Sequence, residues 1–411
     1  MNTAKNSASA GPSGILVKNN LIYSLPPDLS VAVERRTIRQ YSQGTEYSDG
    51  QRCTFVLNTG ADFVDFTSSY LAFDFALTAP PVGAVTFSQN QVGSACNVIN
   101  RITISTRSGD EITRIDNCNV LASQLLYTDY DSDYYTTMAT NGEHVNTTMV
   151  DTTPIRCLIP LERLSGFFKY DKLAPSPLCS GLRIEILFEN AAQALNSTAS
   201  ESTLRYKITQ PSLVLEQHRL TDAVSRAILS EAASNGLEVV ISDWFHSLHT
   251  TAEATVNAEV RKAVSRAQKI MAVPRVAANE NRFDENAFIA PFTVLSWRYR
   301  LGSSYFPNQP VVSELGTPVE ESYYVAARTF DRHRSGKHMK MTPYEYVQSH
   351  GILAYPLERQ ASMDLSGIPV NNSRILSLDV KFAQSQSRLI DFYMKRVLLC
   401  RVFLSNTETE E

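Results

Sequence analysis

The chain carries one pattern twice. Pro160-Leu161-Glu162-Arg163 recurs nearly half a chain later as Pro356-Leu357-Glu358-Arg359. The first copy is followed by Leu178-Cys179-Ser180-Gly181 and the strand-like run Arg183-Ile184-Glu185-Ile186-Leu187-Phe188. The second is followed by Leu365-Ser366-Gly367 and then Arg374-Ile375-Leu376-Ser377-Leu378-Asp379-Val380. Each half closes on a further apolar run, Leu213-Val214-Leu215 and Val397-Leu398-Leu399. Two tandem copies of one β-rich domain constrain the fold more than any single motif does. They also point to a protein whose product is a shape.

The 411 residues are enough for two or three domains, each with its own core. Hydrophobic residues make up 43% and charged residues 19%, which is globular composition. A net charge of −4 argues against a general nucleic-acid binder, because phosphate affinity needs a Lys/Arg excess. No apolar run approaches the ~20 residues that span a bilayer. The start, Met1-Asn2-Thr3-Ala4-Lys5-Asn6-Ser7, has no apolar stretch behind its first charge, so no secretory signal is expected. The six cysteines, Cys53, Cys96, Cys118, Cys157, Cys179 and Cys400, form no Cys-x-x-Cys pair and read as reduced, buried thiols of an intracellular product. Asn146, Asn196 and Asn371 match the glycosylation pattern and, without a signal, read as coincidence.

Strand periodicity dominates the body. Leu71, Phe73, Phe75 and Leu77 alternate with Ala72, Asp74 and Ala76, which describes a half-buried antiparallel strand. Ile102 and Ile104 alternate with Thr103 and Ser105. In the second half Leu376, Leu378, Val380 and Phe382 alternate with Ser377, Asp379 and Lys381. A helix is expected from Asp116 to Leu126, and another from Thr221 to Ala233 that stops at Asn235-Gly236. Residues 255–273 read as two strands with a helical turn at 262–266, one continuous helix being the alternative, and Pro274 stops either.

The domain plan is therefore an N-terminal arm and lead-in at 1–49, a first β-sandwich at 50–220 and a linker helix at 221–236. A second β-sandwich follows at 237–405, then an acidic tail at 406–411. Residues 127–154 are polar and Tyr-rich, and 277–348 are rich in proline and aromatics; both are expected to be long loops. The fold class is all-β: two tandem eight-stranded jelly-roll sandwiches, with a few short helices in the connections.

Ordered segments of the chain resemble a known family. They are Asn90-Gln91-Val92-Gly93-Ser94-Ala95 before 99–104, and Ile159-Pro160-Leu161 with Phe167-Phe168 and Leu173-Ala174-Pro175. Trp297 to Pro310, with Arg300-Leu301-Gly302-Ser303 and Pro307-Asn308-Gln309-Pro310, is a third. Leu357-Glu358-Arg359 through Ser366-Gly367-Ile368 and Asn371-Asn372-Ser373-Arg374 is the fourth. In this order they are similar to the double jelly-roll major capsid proteins of tailless icosahedral DNA viruses, the lineage of virophages, Polinton-type elements and large algal viruses. The resemblance implies two upright rolls in one chain and a homotrimer forming a pseudo-hexagonal capsomer of an icosahedral virion. The implied partners are neighbouring capsomers, minor capsid or penton proteins, and an internal membrane or genome on the inner face. The location implied is the virion, assembled in the host cytoplasm or nucleus. No small-molecule substrate, cofactor, catalytic residue or metal is implied. The alternative is a glycan-binding β-sandwich of a spike or lectin type.

The chemistry-bearing clusters are sparse. Gly336-Lys337 is followed by His338, so there is no P-loop, and no Gly-x-Ser-x-Gly elbow occurs. Asp129, Asp131 and Asp133 imitate a calcium loop, but Tyr134 and Thr140 stand where Gly and Glu are needed, so a solvated acidic loop is expected. His246 and His249, beside Asp243, fall on opposite faces of a strand and read as core or interface histidines. Arg332, His333, Arg334, Lys337, His338 and Lys340 form one basic cluster, expected to be a solvated loop. Tyr130, Tyr134, Tyr135, Tyr323 and Tyr324 suit contacts between subunits or packing within one.

Overall fold

The computed structural model describes residues 32–410, apart from 88–92, 278–292, 314–318, 360–365, 403–406 and scattered shorter stretches. The proposed arm lies almost wholly outside the described residues.

Sixteen strands carry the two halves. In the first half they are β1 (Ala32–Tyr41), β2 (Arg52–Val56), β3 (Phe63–Leu77), β4 (Ile99–Ser105), β5 (Glu111–Ile115), β6 (Ile155–Pro160), β7 (Arg183–Phe188) and β8 (Tyr206–Leu220). In the second they are β9 (Leu237–Thr251), β10 (Thr255–Val260), β11 (Val264–Val276), β12 (Val294–Leu301), β13 (Ser304–Val312), β14 (Leu353–Pro356), β15 (Leu376–Phe382) and β16 (Arg388–Val402). All pairings are antiparallel, and the sheets of the first half run β1-β8-β3-β6 and β2-β7-β4-β5. The second half repeats both orders, as β9-β16-β11-β14 and β10-β15-β12-β13. The duplication read from the tetrapeptides is thus a duplication of topology.

Period two explains each sandwich. Leu71, Phe73, Phe75 and Leu77 point into the first core, where Phe75 meets Phe87 edge-on at 4.7 Å between ring centroids. Leu376, Leu378, Val380 and Phe382 fill the second core with Trp297 and Tyr299. All six cysteines are buried and unpaired with one another.

Helices follow the same plan. α1 (Cys118–Thr128) leaves β5, α2 (Asp222–Ser234) joins the halves, and α3 (Glu320–Thr329) leaves β13. α2 ends at Asn235 with Gly236 at φ 75°, where a residue without Cβ is favoured. Each half also has a π-helical turn, Tyr135–Ala139 and Tyr346–His350, set up by a capping side chain four residues upstream. Asp131 accepts from the Tyr134 N–H at 2.8 Å, and Thr342 from the Glu345 N–H at 3.2 Å.

Several expected boundaries differ. The lead-in holds β1, paired along nearly its full length with β8. The expected loop 277–348 carries β12, β13 and α3; its prolines 307 and 310 sit on β13, an edge strand that tolerates missing N–H donors. The expected loop 127–154 is largely helical up to residue 141. No helical turn forms at 262–266; β11 begins at Val264 and continues through Pro274, past the point where β14 stops pairing with it. In the tail, Thr407–Glu410 adds a short strand beside Leu399–Val402.

Candidate functional site

The chemistry of this molecule concentrates where the two rolls meet. β16 is buried on both faces, so it reads as a near-continuous apolar run. Ile390, Phe392 and Met394 fill its own roll, while Tyr393 joins the core shared with the first roll. Asp391 shares the Tyr393 face, at a spacing of two. A charged residue in such a run marks a partner on the far side.

Two buried carboxylates fasten this seam. Asp243 on β9 is fully buried and accepts four hydrogen bonds. Oδ2 takes Thr113 Oγ1 at 2.7 Å and Ser165 Oγ at 2.5 Å; Oδ1 takes the Gly166 N–H at 2.7 Å and the Trp244 N–H at 2.8 Å. Three of these donors belong to the first roll. Gly166 lies so close that a Cβ there would stand 1.9 Å from the Ser242 carbonyl oxygen. Only glycine permits that approach.

Asp391 on β16 is the second anchor. Arg275 from β11 donates to its Oδ2, and the His246 ring and the Asn117 amide each contact Oδ1 at 2.7 Å. Asn117 caps α1 with φ 48°, a left-handed conformation that asparagine tolerates, and its carbonyl accepts from Tyr393 Oη at 2.8 Å. Burial alone pushes the Asp391 carboxyl up; Arg275 and His246 outweigh it and hold it at about 2.

A third contact joins the two helical connections. Tyr127 of α1 packs against His350 with the rings tilted by 56° and their centroids 4.4 Å apart, and it lies 6.3 Å from Tyr135. The Lys340 N–H donates to the Tyr127 carbonyl at 2.9 Å, the Lys340 ammonium sits over the Tyr135 ring, and Arg332 donates to the Asp129 carbonyl. Burial pushes the His350 imidazole down to about 4.

The residues singled out by sequence fall into this frame unevenly. His246 is at the seam, and His249, three residues on, is half-buried elsewhere. The three aspartates share no site: Asp129 faces Lys169 at 3.4 Å, Asp131 caps a helix, and Asp133 is exposed. The basic cluster was expected to be one solvated loop. Instead its ends, Arg332 and Lys340, hold the seam, while His333 and His338 pair in a small exposed hairpin. Tyr130 and Tyr134 pack within the first roll around the Arg163 guanidinium, 4.6 and 6.0 Å from it. Among the described residues no group of three His, Cys, Asp or Glu side chains is placed to hold a metal.

The repeated motif itself has diverged. Arg163 is fully buried and paired with Glu143, at 2.9 Å for Nε–Oε1, and Tyr134 Oη adds a bond at 2.6 Å. Its counterpart Arg359 is exposed. Glu143→Ala is expected to cost about 3–5 kcal/mol, because it strands a buried guanidinium; a urea melt of the purified chain measures it. Glu143 had no sequence signal, since its partner lies on another element. Asp243 and Asp391 had one in hindsight: each is an acid inside an apolar strand.

No protein-family model and no curated protein matches the chain. Solved structures do. PBCV-1 VP54, as fitted into a reconstruction of the virophage Sputnik, superposes with a TM-score of 0.67 at 11% identity, covering 95% of this chain and 99% of that one. The Faustovirus major capsid protein gives 0.63 at 8% identity over 94% of each chain. The mavirus major capsid protein gives 0.55 at 7% identity over 100% of this chain and 96% of its own. Identity this low speaks to architecture alone, and the architecture is unambiguous: the chain has the double jelly-roll fold of these capsid proteins.

Proposed function

We propose that the chain is a major capsid protein, a structural subunit that works by packing against copies of itself in a virion shell. One observation carries the reading beyond the shared fold. Equivalent surfaces of the two rolls are buried unequally. Every residue of α1 is buried, because α1 lies in the seam. In α3, its counterpart in the second roll, Glu320, Glu321, Tyr324 and Arg328 are exposed, Tyr324 by 57%. β9 is buried against the first roll at Val239, Ile241 and Asp243, while its counterpart β1 leaves Val33 and Tyr41 67% and 62% exposed. A single chain therefore carries one completed seam and the two unmatched halves of another. Such head-to-tail surfaces close into rings when the rotation between copies returns to its start. Three chains, six rolls, are the ring this reading assigns, with capsomer neighbours outside it.

Charge supports the match. The exposed acids Glu320 and Glu321 would face the arginine-rich β1, where Arg35, Arg36 and Arg39 are exposed. Nothing in the molecule favours the glycan-binding alternative. Sedimentation and negative-stain imaging of the purified full chain test the proposal. A trimer with a pseudo-hexagonal outline is expected. Tyr324→Glu combined with Val33→Glu should yield folded monomers, with unchanged far-ultraviolet dichroism. A wild-type chain that stays monomeric at concentrations well above micromolar would refute the reading.

A further inference from the structure

An asparagine followed by glycine is a chemically labile step, and the chain has two, Asn141-Gly142 and Asn235-Gly236. The glycine nitrogen attacks the asparagine side-chain carbon, and no Cβ hinders its approach. Both asparagines are exposed, so the hold on each glycine decides which site reacts.

The two sites are held very differently. At Gly142 the nucleophile is committed. Its N–H donates to the Met138 carbonyl at 2.8 Å, and its carbonyl accepts from the Leu158 N–H at 2.8 Å. A Cβ there would stand 2.9 Å from the Leu158 carbonyl oxygen, so the backbone is pinned between a helical turn and β6. Gly236 lies between the last turn of α2 and the first residue of β9, at φ 75°. Its N–H has no acceptor among the described residues, although the residue is buried. A buried donor without a partner costs free energy, which favours opening at this point. Asn235 is tied to Glu231, its N–H to the carbonyl at 2.9 Å and its amide to Oε1 at 2.7 Å. Glu231 is exposed, and both bonds belong to a terminal helical turn, where fraying releases them together.

We propose that Asn235 is a self-modification site, at which the chain deamidates in the joint between its two rolls. The Gly236 nitrogen gives its proton to hydroxide and bonds to Asn235 Cγ. The side-chain nitrogen takes a proton from water and leaves as ammonia. Water then opens the five-membered imide at either carbonyl, giving isoaspartate or aspartate, with no oxidation or reduction. Either product sets a new carboxylate four residues from Glu231, at the negative end of α2. Isoaspartate also lengthens the main chain just before β9, where Leu237 pairs with Val402. The joint therefore loosens with age. This inference stands independently of the capsid reading.

Peptide mapping by mass spectrometry tests it, on the full chain aged at neutral and at mildly alkaline pH. Asn235 should convert about tenfold faster than Asn141 or more, because Gly142 must first break two backbone hydrogen bonds. The rate should rise with hydroxide. Isoaspartate should appear beside aspartate, since direct hydrolysis of the amide gives aspartate alone. In urea, with the fold gone, the two sites should convert at similar rates. Asn235→Asp should speed proteolysis within α2. Equal rates at the two sites of the folded chain overturn the proposal. So does an Asn235 amide that persists while the urea control converts, aspartate without isoaspartate, or an Asn235→Asp chain cut no faster than the parent.

Discussion

Gly166→Ala is expected to open the seam and lower stability by about 3 kcal/mol or more. The added methyl would meet the Ser242 carbonyl oxygen at 1.9 Å, with the Asp243 Cα at 3.0 Å. Both are backbone atoms of a paired strand, so neither yields by a side-chain rotation. The loop must retreat, and in retreating it withdraws the Gly166 N–H and the Ser165 hydroxyl from Asp243. A fully buried carboxylate would lose half of its donors. Ser165→Ala is the graded control: it removes one hydrogen bond to the same carboxylate without a clash, and should cost about 1–3 kcal/mol. Urea denaturation followed by tryptophan fluorescence suits both, because Trp244 adjoins Asp243. Splitting of the transition into two, or new proteolysis in the exposed linker helix α2, would mark rolls that fold but no longer dock. A Gly166→Ala chain with the parental midpoint would mean that the loop does not lie against β9.

Acid is expected to weaken the same seam in two steps. His350 has its ring nitrogens buried, and its folded pKa of about 4 lies below the ordinary 6.5. A depressed folded value means that the unfolded chain takes up the proton first. The stability linked to neutral His350 is therefore complete above about pH 6.5 and drains away as pH falls towards 4, by about 3 kcal/mol. Asp391 follows. Its folded value of about 2 lies below the ordinary 3.8, so its contribution holds above that point and is lost between about pH 4 and pH 2. His350→Gln should flatten the first step and leave the second. Urea midpoints measured from pH 7.5 to about pH 2 resolve the two. A parental midpoint that does not move between pH 6.5 and 4.5 would rule out a buried neutral imidazole beside Tyr127.

Much of the fold was legible because its cause is local. Alternation at 71–77 and 376–382 placed buried faces correctly, and Asn235-Gly236 marked the end of α2. The Pro-Leu-Glu-Arg repeat located the end of the corresponding strand in both rolls, β6 and β14. The 277–348 segment was harder. Trp297 and Tyr299 are core residues, but the outward Arg298 and Arg300 that alternate with them, and the edge-strand prolines, made the segment look irregular. β1 was obscured for a related reason: an edge strand with one face open, rich in Arg and Glu, has little apolar signal.

The candidate site was less legible. His246 was noticed, but as one of a histidine pair, whereas its working partners are Asp391, Arg275 and Asn117. They come from β16, β11 and the cap of α1, far apart along the chain. The basic cluster looked like one unit and is divided, because a short hairpin separates its two ends from its tip.

What the linear order of residues determined is the duplicated sandwich, since strand periodicity and turn chemistry act over a few positions and were copied with the repeat. What only the tertiary structure decided is how the copies differ. α1 is buried where α3 is open, and Arg163 is enclosed where Arg359 is solvated. Burial depends on what docks from elsewhere in the chain, and two nearly equivalent segments acquire opposite environments once one roll has packed against the other.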